Sequence, residues 1–373
     1  MQWDWEGFLG RPEIAPDKAL TEAAVQSKCL LITGAGGSIG SRVALDCLDG
    51  RPKTLLLLDS SEHSLYEIYK RIVAQTTNAS TQIVPIVGNF ADRPLLDLLF
   101  RQHHPDMIFH TAAYKHVPLM EQNPFRAMAN NALGTFKLVL SALENGSCDI
   151  LLVSTDKAVN PTSIMGASKR AAELIVLSHS CSAVRMNAVR LGNVLGSSGS
   201  VVPLFREQLE ASRPLTVTHP DARRYFLTSA EAGSAVLRAA NCFLTGRILL
   251  ADFGISLSIL ELARHMADLY LISEGLDRRT RPAIEFIGLR PGEKLEESPY
   301  STLEHMEQSM VSGMRVVKSP CPAAGDVAAG MERIEAAIQS LDLREMLAAT
   351  THLVADYQPA FSLRSDSVPV AAR

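Results

Sequence analysis

The residues best placed to do chemistry stand at the end of one apolar run. Ile150 to Val153 leads into Ser154-Thr-Asp-Lys157, and Met165 and Lys169 follow shortly after. A β-strand that ends this way lifts polar groups out of the core at its carboxyl end, the edge where open α/β sheets hold ligands. Asp156 and Lys157 are a carboxylate and an amine side by side. Such a pair can exchange protons with a substrate, or it can be an exposed ion pair of little energetic worth. Met165 and Lys169 are spaced i and i+4, so a helix puts them on one face about one turn apart.

A second constellation lies upstream. Lys28 to Thr33 reads as a buried strand that runs into Gly34-Ala-Gly-Gly-Ser-Ile-Gly40 and an apolar helical pattern. Gly34, Gly37 and Gly40 allow a tight turn and close approach to a pyrophosphate, and the helix start at Ser38 and Ile39 offers free N–H groups to the anion. The next strand, Thr54 to Asp59, ends in an acid about 20 residues past the last glycine, where a carboxylate can accept the hydroxyls of an adenosine ribose. Turn and acid together point to a dinucleotide. Asp59 favours NAD over NADP, although Ser60, Ser61 and His63 would tolerate a ribose phosphate.

Around these sites the chain alternates strand and helix. Glu62 to Gln75 and Leu95 to Arg101 read as helices, with Asp92 as an N-cap. Gln82 to Val87 and Asp106 to His110 read as strands, with Pro85 awkward at the centre of the first. Asn89 and Phe90 either frame an adenine or form a capped turn. Thr111-Ala-Ala113 is small, so Ala112 and Ala113 let the backbone pass near a cofactor. Phe125 to Glu144 reads as one helix, in which Asn130 and Asn131 are poor helix formers. Their role is either polar contact with the active strand or simple exposure. The pattern is that of an α/β protein: a Rossmann-type, doubly wound parallel sheet with a smaller C-terminal substrate-binding lobe. The expected divisions are an irregular lead-in (1–27), a dinucleotide-binding domain (28–191), a lobe whose segments return to the main sheet and end in helices (192–357), and a disordered tail (358–373).

Composition excludes other classes. A formal net charge of -4 over 373 residues gives no basic field for nucleic acid. No apolar run is long enough for a membrane span, and the acidic start is unlike a signal peptide. The six cysteines have neither zinc nor disulfide spacing, and His103 and His104 lack partners at metal spacing, so no metal site is expected. This usage suits a reducing cytoplasm.

Taken together, the motifs resemble an extended short-chain dehydrogenase/reductase and, more narrowly, the UDP-N-acetylglucosamine 4,6-dehydratases of bacterial polysaccharide biosynthesis. The stretches that carry the likeness are Thr33 to Ser41, His110 to Pro118, Ser154 to Ala158, Met165 to Arg170, Arg190 to Pro203, Val217 to Asp221 with Arg224 to Phe226, and Gly288 to Leu295. Methionine at 165, where the wider superfamily has tyrosine, matches the long-form, membrane-anchored branch of that family. Phe8-Leu-Gly-Arg11 matches the lead-in that follows its membrane helices, so the chain reads as a soluble form or the catalytic piece of a longer protein.

The resemblance implies that NAD oxidises carbon 4 of the sugar, which acidifies the hydrogen on carbon 5. Asp156 then protonates the departing 6-hydroxyl and Lys157 removes the carbon 5 proton. An amine base has to be partly neutral near pH 7, and burial beside other cations would achieve this. Thr155 holds the carbon 4 hydroxyl, Lys169 the nicotinamide ribose, and Met165 packs against nicotinamide or sugar. Asn131 joins the cofactor set. Lys115, Asn193, Val201, Arg224, Arg290 and Glu293 form the site for a UDP-N-acetylhexosamine. The methionine form implies retention at carbon 5. Pairing through helices of the nucleotide domain implies a homo-oligomer. A nucleotide-sugar 4-epimerase and a non-catalytic binding protein are the alternative readings.

Overall fold

The computed structural model describes residues 3–359 apart from 77–80, 147, 243, 252–253 and 278–279. Its frame is a nine-stranded sheet, numbered here in chain order: β1 Cys29–Thr33, β2 Thr54–Asp59, β3 Gln82–Val87, β4 Met107–His110, β5 Asp149–Thr155, β6 Met186–Leu191, β7 Ile248–Ala251, β8 His305–Gln308 and β9 Met314–Lys318. The spatial order is β8-β9-β7-β6-β5-β4-β1-β2-β3. All neighbours from β3 to β7 are parallel, whereas β9 joins β7 and β8 joins β9 antiparallel. The order reverses between β1 and β4, which makes the carboxyl edge there a crevice.

Strand residues alternate between faces, and both faces are covered. Cys29 and Leu31 of β1 join one apolar cluster with Leu152, Met165 and Ile175. Leu30 and Ile32 join a second with Val43, Leu55, Leu57 and Val153. A third cluster lies in the lobe, around Phe205, Leu215, Phe226, Leu262 and Met266. Pro85 is accommodated because β3 is an edge strand, where a missing N–H leaves no outer neighbour short of a donor.

Several expectations need correction. The lead-in is not irregular: it carries helices Trp5–Leu9 and Lys18–Val25. Phe8 packs edge-on to Phe226, and Arg11 pairs with the buried Glu231. Asp92 occupies the N-cap of helix Arg93–His103, but its side chain makes no cap hydrogen bond. The single helix expected from Phe125 is a short helix Pro124–Ala127, a π-helical turn Met128–Leu133 and a helix Gly134–Glu144. β8 and β9 extend the sheet where no strand was expected.

The helical end consists of Ala324–Gln339 and Leu343–Leu353. These pack on helix Ile164–His179, which is buried from Ile164 through Leu177. Lys137 pairs with Glu335 at 3.1 Å, and Gln358 donates to the Pro161 carbonyl at 3.0 Å. The C-terminal helices therefore cover this helix from within the chain. The tail expected from 358 falls outside the described residues from 360 onward. No helix among the described residues is long and apolar enough to cross a membrane.

Candidate active site

The glycine turn is shaped by close packing. Gly34 has φ +69°, and a Cβ there would come within 2.7 Å of the Ala112 backbone. A Cβ on Gly40 would meet the Gly34 carbonyl at 2.1 Å. Helix Ser38–Asp49 thus sits hard against the turn, with Gly37 as an N-cap that offers no side chain to its first N–H groups. Ser38 accepts a hydrogen bond from the Ser198 N–H at 3.1 Å, which ties the turn to the loop before the lobe. The Asp59 carboxylate accepts the Gly36 N–H at 2.9 Å and the Ser61 N–H at 2.8 Å. It braces the turn and the segment after Ser60 while each oxygen keeps a lone pair for another donor.

Two expected cofactor contacts are turned inward. Phe90 is buried, with its ring 4.8 Å from that of His110 and against Gly134, so the ring faces the core. Asn89 is exposed and accepts the Ala91 N–H. Asn131 is also buried rather than exposed. Its Oδ1 accepts from Tyr114 N–H (2.8 Å) and Asn130 (3.0 Å), and its Nδ2 donates to the Tyr114 carbonyl and to Ser168 Oγ (both 2.9 Å). All four hydrogen bonds an asparagine can make are filled within the protein. Asn131 clamps the loop after β4, and the π turn is what presents it.

At the end of β5, Asp156 is fully buried. Its Oδ1 accepts from Thr155 Oγ1 and from Lys157 Nζ, each at 2.9 Å, while its Oδ2 has no hydrogen-bond partner. Lys157 Nζ also donates to Asn193 Oδ1 at 2.9 Å and lies 4.0 Å from Glu297 Oε1. The expectation that Lys157 sits beside cations is not met among these contacts: its immediate partners are two carboxylates and an amide. Lys169 is buried and donates to the Val153 carbonyl at 2.9 Å; burial pushes its pKa down to about 8 against the opposing pull of Glu173. Met165 is 2% exposed and packs in the core. The small shell Ser163 and Gly166 lets its helix start directly over the Lys157 carbonyl.

Lys157 opens into a cavity of about 570 Å³ that Lys115, Asn193, Val201, Arg224, Arg290 and Glu293 also line. All six residues expected for the substrate are therefore brought together. Their availability differs. Arg224 is buried and spends its guanidinium on the carbonyls of Arg223, Lys294 and Leu295, bracing the cavity wall. Arg290 is exposed at the rim and pairs with Glu293 at 3.0 Å. Desolvation lowers the pKa of Lys115.

Sequence reasoning missed three groups. His110 bridges Thr33 Oγ1 (2.7 Å) and Thr135 Oγ1 (2.9 Å). Thr135 donates onward to the Asn131 carbonyl, so it accepts from His110 Nε2–H and leaves Nδ1 to accept from Thr33. Burial, reinforced by Lys169, holds His110 neutral with a pKa of about 3. Beneath β5, Ser154, Glu173, Arg190, Glu304 and Arg170 form a buried network at 2.6–3.0 Å. Glu297, with Lys294, completes the strand-end cluster. Arg190 and Lys294 lie within motifs recognised in the sequence, and His110 opens one, but only the fold reveals their partners.

Comparison with known proteins places this geometry. A family model described as "Polysaccharide biosynthesis protein" matches residues 30–319. The capsular polysaccharide biosynthesis protein CapD of Staphylococcus aureus is 40% identical over 294 residues, covering 78% of this chain and 48% of that protein; the chain spans about half the length of that relative. A protein named UDP-glucose 4-epimerase from Rickettsia rickettsii is 30% identical, covering 74% of this chain and 79% of that one. Among solved structures, Pen from Bacillus thuringiensis superposes with a TM-score of 0.71 at 27% identity, covering 80% of this chain and 90% of Pen. DesIV of Streptomyces venezuelae, a dTDP-glucose 4,6-dehydratase determined with NAD bound, superposes with a TM-score of 0.60 at 22% identity, covering 72% and 87%. The chain belongs to the polysaccharide biosynthesis protein family, within the extended short-chain dehydrogenase/reductase superfamily.

Proposed function

We propose that the protein is an NAD-dependent nucleotide-sugar 4,6-dehydratase acting on UDP-N-acetylglucosamine. The observation that carries this reading is the Asp156–Lys157 pair, 2.9 Å apart, at the point where β5 meets the 570 Å³ cavity. A carboxyl and an amine in contact, with the amine facing the cavity, suit an elimination that needs one proton given and one taken.

The turn at Gly34–Gly40, the bare helix start at Ser38 and Asp59 fit a dinucleotide, with Lys169 near the nicotinamide ribose. When bound, NAD supplies the oxidising equivalent at carbon 4 and returns it at carbon 6, so none is consumed. Thr155 holds the carbon 4 hydroxyl. Lys157 takes the proton from carbon 5, and Asp156 gives one to the departing 6-hydroxyl. The step leaves a carboxylate and an ammonium in contact; Lys157 then gives a proton, exchangeable with solvent, back to carbon 5 as carbon 6 is reduced, and the proton released from the carbon 4 hydroxyl on oxidation returns Asp156 to its acid form, so the balance is the loss of one water. Lys115 and Arg290 meet the diphosphate, Glu293 accepts a ribose hydroxyl, and Arg224 with Asn193 holds the wall. Met165 packs the site without exchanging protons, and its presence supports retention at carbon 5.

A 4-epimerase is the second reading, favoured by the name carried by the rickettsial relative. It needs no acid and base for loss of water. Proton NMR with UDP-N-acetylglucosamine in deuterated water separates the two. A 6-methyl signal with deuterium at carbon 5 supports dehydration. A UDP-N-acetylgalactosamine product with no 6-methyl signal sinks it in favour of epimerisation.

A further inference from the structure

We infer that Glu297 is a positioning residue for Lys157: it orients the amine toward the cavity and stabilises the proton that the amine receives. The inference rests on the dehydratase reading above. Glu297 is 4% exposed and lines the cavity beside Lys157. Its Oε1 is 4.0 Å from Lys157 Nζ, and its Oε2 is 3.3 Å from Lys294 Nζ. That Oε2 is buried without a hydrogen bond. A buried carboxylate that is only partly satisfied is expensive, and two lysines held beyond good hydrogen-bond geometry return little of the desolvation loss. Placement against a group that must change charge during turnover gives it a purpose.

The charges facing Lys157 are few. Asp156 comes from its own strand end, Glu297 from the segment after the Gly292 turn, and Lys294 flanks the far side of Glu297. Asn193 contributes a neutral amide, and Lys115 lines the same cavity. Tyr225 stands near Asp156, its phenol pushed up chiefly by burial, then by Glu296 and Asp156.

In the proposed step the carbon 5–hydrogen bond breaks as an N–H bond forms on Lys157. The Asp156 O–H bond breaks as the carbon 6 hydroxyl leaves as water. The negative charge of Glu297 favours the ammonium so formed. Lys294 holds that charge and partly offsets it.

The test uses the NAD-loaded protein and UDP-N-acetylglucosamine, comparing wild type, Glu297→Gln, Glu297→Asp and Lys294→Met. Deuterium entry at carbon 5 is followed separately from carbon 4 oxidation, the latter read as transient reduced nicotinamide. In Glu297→Gln, exchange at carbon 5 should fall about tenfold, with carbon 4 oxidation and KM little changed. The acidic limb of the kcat profile should move down by about one pH unit, because the neutral amine then persists to lower pH. Glu297→Asp should recover part of the rate. Lys294→Met, which leaves Glu297 uncompensated, should move the same limb upward, and this arm stands even if Glu297→Gln fails to fold. A higher KM with an unmoved profile in both variants would overturn the inference and leave Glu297 as a support for Lys294 alone. A wild type that forms no 6-methyl product overturns the dehydratase reading and this inference together, whereas wild-type turnover matched by Glu297→Gln overturns this inference only.

Discussion

Two neutral clusters of four charges lie on either side of the end of β5, and they are built on opposite principles. Beneath the strand, Arg170 and Arg190 face Glu173 and Glu304. Arg190 is fully buried, and its five N–H groups find Glu173, Glu304 and the Pro299 carbonyl. Only the Arg170 Nε lacks a hydrogen bond, at 4.0 Å from Asp356. Above it, Lys157 and Lys294 face Asp156 and Glu297, and both carboxylates keep one unbonded oxygen. Arginine cannot give up its proton in a protein, whereas lysine can. The lower cluster is a permanent brace that ties β5, β6 and helix Ile164–His179 together; the upper one combines lysines with carboxylate oxygens that lack partners, groups able to exchange protons.

The sharpest way to break this contrast is to remove each cluster in turn. Asp156→Asn should lower dehydration by about 10²–10⁴-fold with little change in melting temperature, measured by product NMR beside a thermal melt. Arg190→Met should do the reverse. It strands two buried carboxylates and should destabilise by about 3–5 kcal/mol, read from denaturant unfolding. If Arg190→Met unfolds no more readily than Asp156→Asn, the two clusters do not differ in this way.

A gentler probe is pH. The arginines, helped by the Ser154 hydroxyl, pull Glu173 down to about 2 against its burial. Its folded value lies below its unfolded one, so the stability it contributes is present above about 4.5 and is lost as pH falls toward 2. Glu173→Gln should lower stability near neutrality and flatten this acid loss, seen in unfolding midpoints across that window. The smallest effect is expected at the rim, where the half-exposed Arg290 pairs with Glu293. Arg290→Ala should change stability by less than about 1 kcal/mol, while isothermal titration with UDP should reveal weaker binding.

The Asp156–Lys157 pair and the nucleotide turn are the legible part of the sequence, whereas Glu297 and Lys294 join that pair only in the fold. Asp156, Lys157 and the glycines are adjacent in the chain, and strand ends and tight turns are local events. Helix Glu62–Gln75 and strand Gln82–Val87 have their expected bounds for the same reason. The lower cluster was not legible, because Ser154, Glu173, Arg190 and Glu304 meet only through the packing of distant segments. Phe90 follows a strand end, where an aromatic ring can face a ligand or the core alike, and Asn131 lies within a helical stretch, where an amide can be exposed or turned inward. Burial decides between those fates, and it depends on Gly134, Ser168 and Tyr114 elsewhere. β8 was missed because its four residues are exposed and carry no apolar alternation.

Pro85 has one further consequence. An open sheet offers a row of unpaired amides to any passing strand at each margin, the beginning of aggregation. On β3 the proline interrupts that row in the middle of the strand, opposite Leu57 of β2. The residue that looked out of place within a strand thus serves as a guard at the margin of the sheet. Pro85→Val would leave the inner ladder intact while making this margin a template for self-assembly.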